Sequence, residues 1–136
     1  ENQDLLTAVL NFSLYFAVSI ALLLIFKFVY ALVTPHDEWK LIKEDKNVAA
    51  ALGFGGAIIG FSLALAGAAT NSVSLVDFAT WAAIALVAQC FAFAIIRFGF
   101  MPRIVQRIED NEISAGIMLG VMNVSLGLLN AACMSY

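Results

Sequence analysis

Residues 34–47, TPHDEWKLIKEDKN, interrupt two long apolar runs, and their charges decide how the rest of the chain is read. Lys40, Lys43 and Lys46 crowd into this stretch, and a counterpart at residues 100–112, FMPRIVQRIEDNE, carries Arg103 and Arg107. Lys27 and Arg97 lie shortly ahead of the two stretches, completing the seven basic side chains of the chain. The opposite ends of the apolar runs carry only acids: Glu1, Asp4 and Asp77. Loops rich in Lys and Arg stay on the cytoplasmic side of a membrane. Both polar stretches are therefore expected to face the cytoplasm, and both termini the other side.

Working outward, four stretches have the roughly 20 predominantly apolar residues needed to cross the hydrocarbon layer: residues 5–33, 48–69, 75–99 and 113–133. The 136-residue chain is 62% hydrophobic and 12% charged, whereas a soluble domain has about a quarter of its residues charged. A water-exposed surface cannot be built from this composition, and the lipid bilayer is the expected environment. The start is acidic and lacks the basic n-region of a secretory signal, so the first run is expected to be a mature helix.

The chain reads as one hairpin written twice, residues 5–69 and 75–136. Shifting the first half by 67 positions superposes Pro35 on Pro102, Gly53 on Gly120 and Gly60 on Gly127, while a register of 65 matches Ala50 with Ala115 and Gly55 with Gly120. Each half holds two spans, so the halves run in the same sense rather than as an inverted repeat. Each connection is expected to hold a short amphipathic helix. Thr34, Pro35 and Asp37 supply the cap hydroxyl, first-turn proline and acid that start such a helix. Trp39 and Ile42 would then rest on the interface. Pro35, Trp39, Arg103 and Arg107 mark these cytoplasmic elbows, which are either solvated connections or the docking surface of a cytoplasmic protein.

The return runs carry the most specific pattern. Ala49, Gly53, Gly56 and Gly60 recur at intervals of four, three and four, as do Gly116, Gly120, Asn123 and Gly127, which places each set on one helical face. Gly56–Gly60 and Gly116–Gly120 are GxxxG pairs, which let backbones approach closely where lipid is as apolar as the side chains. The stripes are packing surfaces, either between the two return helices or between protomers of a homo-oligomer. Gln89 and Asn123 are the polar residues deepest in their spans, with Asn130 expected on the same stripe as Asn123. Such amides either join helices or line a path for a solute.

Lys27 and Arg97 are close enough to a boundary to snorkel, leaving no charge at mid-depth for a proton relay. His36 is the sole histidine and neither cysteine has a base nearby in sequence. No enzymatic activity, cofactor or metal site is expected, and nothing resembles a nucleic-acid footprint.

The segments TPHDEWKLIK at residues 34–43, SVSLVD at 72–77, SAGIMLG at 114–120 and LLNAACM at 128–134 occur in an order and spacing that resembles the YjfL-like family of small bacterial inner-membrane proteins, a domain-of-unknown-function family. The resemblance covers nearly the whole chain and implies a four-helix protein of the bacterial inner membrane, with the termini periplasmic on the charge partition above; it brings no substrate, reaction or catalytic residue. The expected fold is an all-α, polytopic membrane protein of four transmembrane helices in two parallel repeated hairpins. Its expected role is a homo-oligomeric structural or interaction component of the membrane, in stress or scaffolding, the alternative being an oligomeric channel or carrier for a small solute or ion.

Overall fold

Residues with no alternative in lipid but to satisfy their own backbone form helices, and every regular element among the described residues, 2–34 and 38–134, is helical in the computed structural model. The elements are α1 Asn2–Val33, α2 Glu38–Lys43, α3 Val48–Asn71, α4 Leu75–Ile95, α5 Ile104–Glu109 and α6 Ile113–Ala132. Four of them, α1, α3, α4 and α6, are long and apolar enough to cross a membrane. The short α2 and α5 form the elbows. Pro35 and the expected start of α2 lie outside the described residues; Thr34 is buried, and its hydroxyl donates to the Tyr30 carbonyl at 3.0 Å.

Local chemistry sets the helix ends. α3 runs past the apolar stretch 48–69 through Thr70 and Asn71, because both side chains donate back to carbonyls four residues earlier, at 2.8 Å each. Only Ser72, Val73 and Ser74 remain between α3 and α4. Ser74 accepts from the Asp77 amide at 3.1 Å while the Asp77 carboxylate accepts from the Val73 amide at 3.0 Å, a reciprocal start to α4. At its other end α4 widens into a π turn over Ile96–Phe100, closed by the Met101 amide on the Ile96 carbonyl at 2.7 Å. Pro102 has no amide to continue the helix, and it pushes Met101 out of helical geometry.

The centre of the bundle is the contact between α3 and α6. A Cβ on Gly56 would strike the Gly120 backbone, one on Gly116 the Ala49 backbone, and one on Gly127 the Gly60 backbone. These pairs advance together along both helices, so α3 and α6 are parallel and touch backbone to backbone. α1 attaches through rings: Phe26 stacks on Phe61 at 4.6 Å, Tyr30 meets Phe54 and Phe93 at 6.0 Å, and Tyr15 meets Phe78 at 5.1 Å.

The pairs Tyr15–Phe78 and Tyr30–Phe93 share one offset, so α1 runs parallel to α4 and Phe12 is level with Leu75, the first residue of α4. Residues 2–11 of α1 therefore extend past the end of α4, by about 15 Å at roughly 1.5 Å per residue. Residues 3–14 are all exposed.

At the elbow end the two halves are tied. Asn47 is buried, accepts from the Ala50 amide at 2.8 Å to cap α3, and donates to the Ile108 carbonyl of α5 at 2.7 Å. Asn111 returns the bond, its side-chain oxygen accepting from the Ala49 amide at 3.1 Å. Lys46 and Asn111, with φ of 51° and 57°, hold the left-handed turns that lead into α3 and α6. They stand 65 positions apart, the smaller of the two registers read from the sequence. Arg107 clamps Glu112 through two bonds of 2.9 and 3.0 Å, which hold the Glu112 carboxyl below and the Arg107 guanidinium above their ordinary pKa values.

Candidate functional site: a buried amide layer

Where glycines let α3 and α6 touch, their carbonyls are left open to side chains from neighbouring helices. The Asn123 amide of α6 uses this opening, donating to the Gly53 carbonyl at 3.2 Å and to the Tyr30 hydroxyl of α1 at 3.3 Å. Gln89 of α4 donates to the Asn123 carbonyl at 2.9 Å. Its amide nitrogen occupies the space that a side chain at residue 60 would need, 2.7 Å from a Cβ placed on Gly60. One layer thus joins all four spans. Tyr30 and Asn123 are 0% exposed and Gln89 is 1% exposed.

Among the described residues no donor reaches two acceptors in the layer, Gln89 Oε1 and Asn123 Oδ1. An interhelical hydrogen bond in a membrane returns about 0.6 kcal/mol on average, so the layer is cohesive through several such bonds together. Its groups are neutral amides and a phenol, suited to hydrogen bonding or to solvating a small polar species.

Asn130, seven residues beyond Asn123 along α6, donates to the Ala85 carbonyl of α4 at 3.1 Å. The stripe glycines Gly53, Gly56, Gly60, Gly116, Gly120 and Gly127, together with Ala49, lie between α3 and α6 within one protomer. At the elbows, Trp39 packs edge-on to Phe54 at 6.2 Å, Arg103 is exposed, and Arg107 is held by Glu112. Sequence reasoning passed over Tyr30 and Asn47. Asn47 offered a signal, an Asn directly before an apolar run; Tyr30 offered none in a helix apolar on every side. Among the described residues no group of three or more His, Cys, Asp or Glu side chains converges to hold a metal.

Four apolar spans joined by a buried amide layer define a multi-pass α-helical membrane protein. The chain belongs to the family described as Domain of Unknown Function (DUF350), whose model matches residues 4–134. It is 41% identical over 134 residues to the UPF0719 inner membrane protein YjfL of Escherichia coli K12, covering 98% of this chain and 100% of that protein. It is 29% identical over 120 residues to the UPF0719 transmembrane protein YshE of Bacillus subtilis 168, covering 87% of this chain and 88% of that one. No solved structure matches it.

Proposed function

We propose that the protein is a homo-oligomeric structural or interaction component of the bacterial inner membrane, acting by packing rather than by catalysis. The projecting start of α1 carries this reading. At 32 residues α1 is about 48 Å long, against a hydrocarbon layer of about 30 Å. Tilting can absorb such an excess, but α1 keeps one register with α4 from Tyr15 to Tyr30, so it cannot tilt alone. Leu5, Leu6, Val9, Leu10 and Phe12, each more than half exposed, are left without cover in the protomer. A second copy in the same orientation brings its own α1 to the same height, and a two-fold pairing covers both segments. The water-facing sides of α2 and α5 remain for a cytoplasmic protein.

A second reading, a channel or carrier for a small solute or ion, is favoured by the buried oxygens of Gln89 and Asn123, which no donor among the described residues reaches. Cross-linking and flux together separate the two. With Cys90 and Cys133 replaced by alanine, oxidation of Leu6→Cys in native membranes should give a disulfide-linked homodimer, and Val87→Cys on the lipid-facing side of α4 should not. Monomer alone at Leu6→Cys overturns the oligomeric reading. Solute flux in proteoliposomes that vanishes in a stable, correctly assembled Asn123→Leu protein puts the channel in its place.

A further inference from the structure

We propose that Lys27, Trp39 and Lys43 form a binding site for the headgroup of an anionic phospholipid whose acyl chain lies along Phe28, Ala31 and Phe54. The starting observation is two ammonium groups gathered on one indole. Lys27 Nζ of α1 stands 4.2 Å from the centroid of Trp39, and Lys43 Nζ of α2 stands 5.7 Å from it. The two charges are therefore no more than about 10 Å apart. Cation–π contact with the indole holds each of them, yet it supplies no negative charge, and among the described residues neither lysine forms an ion pair.

Two recesses meet at Trp39. One, of about 150 Å³, is lined by Lys27, Phe28, Ala31, Trp39 and Phe54 and is apolar apart from the lysine. The other, of about 310 Å³, is lined by Trp39 and the charged side chains Lys40, Lys43 and Glu44. A ligand that fills both must be apolar at one end and negative at the other. Lys27 sits six residues before the end of α1, within an apolar helix, so its ammonium lies at the boundary between acyl chains and headgroups rather than in bulk water. At that depth the membrane's own phosphates are the available anions. The paired ammonium groups favour a lipid of net negative charge over a zwitterionic one, whose headgroup cation they would repel. Glu44, which lines the second recess, opposes binding there, so the strong contact falls on the Lys27 side.

Trp39 itself can report. With Trp81→Phe it is the single tryptophan of the chain, and brominated lipids quench tryptophans they touch. In vesicles of unlabelled phosphatidylcholine, a fixed small fraction of brominated phosphatidylglycerol should quench Trp39 well beyond the same fraction of brominated phosphatidylcholine. Lys27→Gln with Lys43→Gln should abolish the excess, at about fivefold of relative affinity per lysine. Arg97→Gln with Arg103→Gln removes equal charge from the second hairpin and should leave it intact. Equal quenching by the two lipids overturns the site, as does an excess that survives loss of both lysines or disappears with the two arginines. If the double lysine variant does not fold, Lys43→Gln on the exposed elbow decides alone: a reduced excess supports the site and an unchanged one overturns it.

Discussion

Gly55 and Gly56 are neighbours in sequence with opposite surroundings. A Cβ on Gly55 meets nothing within 4 Å, while one on Gly56 collides with the Gly120 backbone on the facing helix. Gly55→Ala should thus be neutral or stabilise by up to about 1 kcal/mol, the gain in helix propensity. Gly56→Ala should destabilise by about 1–3 kcal/mol, because backbone on the other side cannot yield as a side chain would. Thermal unfolding in detergent distinguishes the two, and equal tolerance would mean that α3 and α6 do not touch there. The facing glycines were legible because an interval of four and three has one meaning on a helix. The amide layer was legible only in part: depth follows from position along a span, so Gln89 and Asn123 stood out. Direction around the axis does not follow when a helix is apolar on all sides, which hid Tyr30.

Between helices, the elbow end is held by two asparagines whose work crosses the halves. Asn47 caps its own helix and reaches the end of α5, and Asn111 reaches the start of α3. Removing the Asn47 side chain forfeits a cap and the bond to the Ile108 carbonyl, which keeps only the Asn111 amide at 3.0 Å. Asn47→Ala should cost about 1–3 kcal/mol, and Asn47→Asp, which keeps the cap and loses the donated bond, should fall between that and the native protein in the same unfolding measurement. If the aspartate variant is as stable as asparagine, the cross-elbow bond contributes nothing. A capping residue can be read from its neighbours, but a partner 61 positions away cannot. The π turn was equally illegible, since the sequence shows Pro102 as a stop without showing that α4 widens before reaching it.

For the whole molecule, four spans followed from length and apolarity, whereas the expected direction of the bundle rests on a charge count alone. The fold gathers Lys40, Lys43, Lys46, Arg103 and Arg107 at the elbow end, with Lys27 and Arg97 approaching it, and leaves Asp4 and Asp77 toward the Ser72–Ser74 end. Translocating the elbow end would carry all seven positive charges across the membrane, and the rule that retains Lys and Arg inside predicts the opposite. Labelling can test this at exposed sites: Asn47 is buried and unsuitable, whereas Asp45 is exposed and Val73 is 90% exposed. With Cys90 and Cys133 replaced by alanine, an impermeant thiol reagent added to intact cells should modify Val73→Cys and reach Asp45→Cys only after the membrane is opened. Modification of Asp45→Cys but not Val73→Cys from outside would invert the protein, placing the Lys27–Trp39 recess in the outer leaflet and the projecting α1 segment in the cytoplasm.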